Sequence, residues 1–234
     1  MKHILRFFIL CIVLVITVKC EKGEAESLPE PIFGTLIHEG NTYKTVIING
    51  KEWMAENLAY LPIVNTFNSS DTEPRYYVYG YRGRSVSEAK EHDNYKKYGV
   101  LYNWIAAINA CPKGWHLATD EEWEELAEYV SSLKGPFQNT RDIWYDVGEF
   151  LKATDSWNEN GNGTDEFGFS GLPGGSYIPF VGFSEIGIRG RWWSATDKES
   201  SGVAWSRYLH KSNERFCRES WGKGVLFSVR CVKD

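Results

Sequence analysis

Apolar residues recur at i, i+3, i+4 and i+7 through Trp123, Leu126, Ala127 and Val130, a spacing that lays one core-facing stripe along a helix. Thr119 and Glu122 stand three apart just before that stripe. They predict a capping box in which hydroxyl and carboxylate satisfy the first free amides. Gly135-Pro136 ends the helix. A shorter helix is predicted over Tyr102–Ala110, with Trp104, Ala107 and Ile108 on one face, and a third turn over Val147–Ala153. Elsewhere the period is two. Tyr43–Ile48, Asn49-Gly50 and Lys51–Leu58 read as a hairpin, because Asn-Gly suits the positive φ angles of a two-residue turn. Strands are predicted over Trp192–Thr196, Val203–Leu209 and Val225–Val232, the last with Val225, Phe227, Val229 and Cys231 on one face. Residues 61–98, polar and Tyr-rich, read as an irregular insertion. No helix is predicted beyond residue 153. Helices early and strands late predict an α+β domain rather than a parallel α/β one.

The first 20 residues read differently. Lys2, His3 and Arg6 precede an apolar run, Phe7–Val18, that is too short to span a bilayer and suits the core of a signal peptide. Cys20 follows and resembles the lipidated cysteine of bacterial lipoproteins, with Lys19 where a small residue is usual; plain secretion is the other reading. The expected organisation is a leader over 1–20, an acidic tether over 21–38 and one domain over 39–234. Export is expected on either reading, to the outer membrane or cell surface as a lipoprotein, or else to the periplasm or medium. The full chain carries a net charge of −5, and the leader contributes three cations (Lys2, Arg6, Lys19), leaving −8 for residues 21–234. No basic patch interleaved with aromatics stands out, so nucleic acid is not an expected partner, and the membrane is reached only through a lipid.

Cysteines and motifs narrow the chemistry. Cys11 lies in the leader, and Cys111, Cys217 and Cys231 remain, an odd number. In an oxidising compartment a structural disulfide is the leading use of two of them. No Gly-x-Ser-x-Gly elbow, phosphate-binding glycine loop or zinc-ribbon spacing occurs, and the histidines are scattered. His116 reads as a locally packed or capping side chain. No catalytic residue is assigned.

The stretches YNWIAAINACPKGWHLATDEEWEEL (102–126), GNGTDEFGFSGLPGG (161–175), GRWWSAT (190–196), AWSRYL (204–209) and FSVRCVKD (227–234) together resemble the Fibrobacter succinogenes major paralogous domain. The resemblance covers roughly residues 40–234. That family occurs in exported proteins and lipoproteins of Bacteroidetes, Fibrobacteres and relatives. The order of elements is also similar to a C-type-lectin-like fold: two early helices, antiparallel strands and long irregular loops. The resemblance implies a disulfide between the first helix and the last strand, here Cys111 and Cys231, with Cys217 left as a free thiol. Closing so long a loop would remove about 4–5 kcal/mol of unfolded-chain entropy.

The family has no well-established activity, and the function expected here is a non-catalytic recognition module binding a glycan or a surface protein. A structural or adhesive envelope component, and an oxidase-like enzyme related to formylglycine-generating enzymes, are the alternatives. Ligand-contact candidates are Trp157, Trp192, Trp205 and Trp221, whose flat rings lie in the loop and strand half. Adjacent Trp192 and Trp193 must face opposite ways, so one is expected in the core and the other partly exposed. Asp155, Asn158, Asn160, Asn162 and Asp165 gather hard oxygen donors that suit calcium. An Asn/Gly-rich turn explains the same residues without metal, and no other cofactor is expected. Arg207 and Arg230, within strands, are expected to pair with carboxylates.

Overall fold

The computed structural model describes residues 30–135, 139–199 and 202–234. The leader, Cys20 and the tether as far as residue 29 lie outside the described residues. Along the chain come β1 (Ile32–His38), β2 (Asn41–Ile48), β3 (Lys51–Met54), β4 (Tyr76–Tyr77), α1 (Val86–Glu91), α2 (Asp93–Tyr98), β5 (Leu101–Tyr102) and α3 (Trp104–Ala107). Then follow β6 (Trp115–Leu117), α4 (Asp120–Lys134), β7 (Ile143–Trp144) and α5 (Val147–Leu151). The closing half holds β8 (Ser176–Ile178), β9 (Gly182–Ser184), β10 (Arg189–Lys198), β11 (Val203–His210), β12 (Phe216–Gly222) and β13 (Cys231–Lys233). The fold is therefore mixed α+β, with strands that pair antiparallel and few, short helices.

One sheet runs β1-β2-β3-β13-β6 and a second runs β10-β11-β12-β7. Asn49 and Gly50 turn β2 into β3 with φ of 52° and 73°, as the Asn-Gly signal requires. Glu39 and Gly40 do the same one strand earlier, so β1 pairs with β2 along its whole length. Ile32–His38, expected within the tether, thus form an edge strand instead; none of its side chains is fully buried, so its sequence carries no clear apolar-polar signal. The terminal β13 inserts between β3 and β6, placing Val232 opposite Trp53 and His116. Cys111 and Cys231 form the disulfide, with Cα atoms 5.9 Å apart and 120 residues enclosed.

Helix α4 carries the capping box in full, and Trp123, Leu126, Ala127 and Val130 are buried as the stripe predicts. Its first residue, Asp120, accepts from Arg207 at 2.5 Å and pairs with Arg218 at 2.6 Å, which ties the helix to β11 and β12. Strand β12 was not predicted, because Arg218 and Glu219 break its apolar pattern; both are consumed by internal pairs, Glu219 with Arg191. The region expected to be irregular holds α1 and α2, six residues each. Ser85 and His92 cap them, and Ala89, Tyr95 and Tyr98 anchor them. Of the last predicted strand, Val225–Val232, only Cys231 and Val232 are regular, in β13. Upstream of it the chain threads between elements through single bridges, Leu226 to Tyr177, Phe227 to Tyr102 and Ser228 to Trp192.

That threading divides the core. Val225, Phe227, Val229 and Cys231 face one cluster with Trp193, Tyr102 and Met54, as the period of two predicts. Val232 faces the other, with Trp53, Trp123, Trp192 and Phe169. Trp192 and Trp193 point to opposite sides, but both are completely buried. The expectation that one would be partly exposed fails because β10 has a core on each face.

At the seam of β6, α4 and the chain's end, His116 stands between two carboxylates. Its Nδ1 lies 2.7 Å from Asp234 Oδ1 and its Nε2 2.9 Å from Glu122 Oε2. Burial disfavours the imidazolium, but the Asp234 and Glu122 hydrogen bonds outweigh it and the pKa is raised above 6.5. A histidine with a raised folded pKa stabilises fully below its unfolded value, and the contribution is lost as pH rises through the folded one. Unfolding free energy measured in urea should therefore fall as pH climbs from below 6.5 through that raised value, and His116→Gln should flatten this limb; an unchanged slope would contradict the assignment. Replacing Cys111 and Cys231 with alanine should lower stability by about 3–5 kcal/mol in the same assay, and a loss under about 1 kcal/mol would show that the staple is redundant.

Candidate recognition surface

The loop half of the domain carries one projecting element, the β8–β9 hairpin. Ser176 pairs with Ser184, Tyr177 with Phe183 and Ile178 with Gly182, leaving Pro179, Phe180 and Val181 as a three-residue tip. Gly182 takes φ 96° and Phe180 takes φ 66°. Left-handed backbone is tolerated by glycine but costs a bulky L-residue about 1–2 kcal/mol. Phe180 is nonetheless 105% exposed and Val181 70% exposed, so packing does not repay the strain.

Below the tip the hairpin is rigidly founded. Tyr177 and Leu226 exchange both backbone hydrogen bonds, at 3.1 and 2.9 Å. Gly175, at φ 69°, donates to Arg189 O at 2.9 Å, and a Cβ there would lie 2.5 Å from Ser184 O. The Tyr177 ring stacks on Phe67 at 5.7 Å and meets Tyr77 edge-on at 4.7 Å, while Phe183 packs on Tyr79 at 4.9 Å. Tyr77 donates to Thr66 O at 2.6 Å, and burial pushes its pKa up to about 12, so this platform stays neutral. Arg82 lies 5.9 Å from the Phe67 ring and joins it, Tyr177, Gly182 and Phe183 around a cavity of about 170 Å³.

The four expected tryptophans are placed elsewhere. Trp157 and Trp192 are core residues, which corrects their assignment as ligand contacts: their indole N–H groups donate to Gly171 O at 3.0 Å and Asn57 Oδ1 at 2.9 Å. Trp205 and Trp221 are half-buried. Trp205 lies opposite Ser220, and Trp221 lies opposite Ala204, so the two rings face opposite sides of the sheet and form no shared platform. The Arg218 guanidinium lies 3.4 Å from the Trp205 ring centre and Arg191 lies 4.9 Å from that of Trp221.

The oxygen-rich loop is organised as a turn. Ser156, Glu159, Asn160 and Asp165 have positive φ. Asn162 Oδ1 accepts from Trp157 N–H at 3.1 Å, and both Asp165 oxygens accept from Ser170, at 2.6 and 2.7 Å. Asp155 accepts from the Ser156 hydroxyl, and Asn158 and Asn160 are exposed. Three of the five, Asp155, Asn162 and Asp165, thus accept hydrogen bonds from the protein itself. Arg230 also departs from expectation. No carboxylate lies within ion-pair distance of it among the described residues, and it is bound by neutral oxygens instead. Cys217 is buried, and desolvation raises its thiol pKa.

The finger escaped sequence reasoning although a signal was present. Ile178-Pro179-Phe180-Val181-Gly182-Phe183 combines turn residues with an apolar tip, where an ordinary hairpin turn is polar. Fold and finger together define a disulfide-closed α+β domain that displays one rigid apolar projection. The chain belongs to the Fibrobacter succinogenes major domain family, whose model matches residues 46–233. No curated protein and no solved structure matches it.

Because Phe180 packs against little and sits in left-handed backbone, Phe180→Gly should leave unfolding free energy unchanged or raise it by up to about 1 kcal/mol. A loss larger than that in urea melts would make Phe180 a structural residue.

Proposed function

We propose that this chain is a non-catalytic recognition module of C-type-lectin-like fold, displayed at the cell surface, which grips a glycan or protein ligand through the β8–β9 finger. The observation that carries the reading is a fully exposed phenylalanine held in strained backbone above a rigid aromatic platform. Strain of this kind persists where it serves a contact, and a preorganised apolar anchor is the usual centre of a binding interface. Helices ahead of closing antiparallel strands, with a bridge from Cys111 to the last strand, support the C-type-lectin-like assignment. The leader and Cys20 support export and a lipid anchor. An oxidase-like reaction through paired thiolates finds little support, because Cys111 and Cys231 are bridged and Cys217 is buried with a raised pKa.

The purified protein should be screened against a glycan panel, with calcium and again with EDTA, and against surface proteins of the producing cells. Replacing Phe180 and Val181 together by serine should weaken the binding found by at least about tenfold, and Trp157→Phe should not. Undiminished binding by the double variant would overturn the reading. Loss of binding in EDTA would restore the Asp155–Asp165 loop as a metal site.

A further inference from the structure

Among the described residues, exposed large apolar side chains include two groups, with Ile63, Ile108 and Leu133 standing apart from both. Phe67, Phe180 and Val181 lie at the finger, while Ile32, Phe33, Ile37 and Ile47 lie on β1 and β2. Of the second group, Ile32 and Ile47 border a recess of about 170 Å³, lined also by Ile48, Tyr129 and Phe167, with Glu30 at its margin. We infer that the partner of the finger is a second copy of this chain, whose recess between β1, the β2–β3 turn and α4 receives Phe180 and Val181. The inference rests on the finger being the recognition element and names what it recognises.

The two surfaces are complementary in shape and sign. One is a rigid projection ending in a phenyl ring and an isopropyl group. The other is a concave apolar site whose rim includes Ile32 and Ile47, 64% and 43% exposed. Arg82 stands at the foot of the finger with no carboxylate in ion-pair distance, and Glu30 at the recess has no cation in ion-pair distance, among the described residues. Each apolar element therefore carries one unspent charge at its margin, of opposite sign to the other. A lipid surface is the poorer occupant: two side chains anchor weakly, and the −8 charge of residues 21–234 opposes adsorption to anionic headgroups.

Finger and recess share no residue, so the contact is heterologous. One copy offers its finger while its own recess stays open, which builds head-to-tail rows rather than closed two-fold dimers. So small a contact is weak in solution. Tethering many copies to one surface would raise their effective concentration and bring it into play.

Sedimentation velocity on the purified protein, from micromolar to millimolar, tests this. The average sedimentation coefficient should rise with concentration. Phe180→Asp and Ile47→Glu should each remove that rise while the melting curve shows a folded protein; Ile32→Glu replaces Ile47→Glu if the latter misfolds. Mixing the finger variant with the recess variant should restore a single interface and give a 1:1 dimer that grows no further. A wild-type protein that stays monomeric throughout overturns the inference, as does a mixture that fails to dimerise. Phe180-dependent sedimentation with anionic vesicles, without self-association, would put lipid in the partner's place. If Phe180→Asp abolishes an external ligand while the wild type stays monomeric, the recognition reading stands and this inference falls; a finger whose replacement changes neither overturns both.

Discussion

A single buried guanidinium holds the domain's parts in register. Arg230 is completely buried one residue before the disulfide cysteine. Its Nε donates to Asn57 Oδ1 at 2.9 Å, its Nη1 to Met54 O at 2.9 Å and Phe169 O at 2.7 Å, and its Nη2 to Ser170 O at 2.7 Å. Burial lowers its pKa to about 9, with the Asp165 charge opposing that shift, so it remains a cation at neutral pH. Each acceptor comes from an element distant in sequence, and each would cost about 1–3 kcal/mol if left buried and empty. Asn57 extends the node to Trp192 Nε1, Tyr98 O and Ser228 Oγ. Asp165 holds the Ser170 turn in place from the far side. Asp165, at the end of the oxygen-rich loop, thus steadies the Phe169-Ser170 segment whose carbonyl oxygens accept from Arg230.

That node explains how a domain with so much irregular chain can present a rigid finger. The segment carrying Arg230 continues upstream through Ser228, bridged to Trp192, and Leu226, bridged to Tyr177 at the hairpin's base. Tyr177 in turn stacks on Phe67 and Tyr77. The finger's foundation is therefore joined, through one continuous stretch, to the disulfide and the central cation. Preorganisation of this kind lowers the entropy cost of binding, while the apolar tip is left exposed.

Sequence reading recovered elements whose signals are local or periodic. The capping box of Thr119 and Glu122, the Asn49-Gly50 turn and the one-sided run of Val225, Phe227, Val229 and Cys231 depend on neighbours within a few residues. The pairing of Cys111 with Cys231 came through the family resemblance rather than from spacing. What escaped depends on distant partners. β12 is disguised by Arg218 and Glu219, whose charges are neutralised by Asp120 and Arg191 far away in sequence. Trp157 and Trp192 looked available because a loop and a strand each offer two faces; here both rings meet packed core. Arg230 was expected to pair with a carboxylate, and only the assembled fold shows carbonyl groups converging on it.

The claim that the finger is the contact surface is tested most directly by photo-crosslinking on intact cells. A benzophenone amino acid would replace Phe180 in one strain and Leu133, an exposed apolar residue on α4, in another. The account expects discrete adducts from position 180 and only diffuse background from position 133. Equal adducts from both positions, or none from position 180, would contradict it.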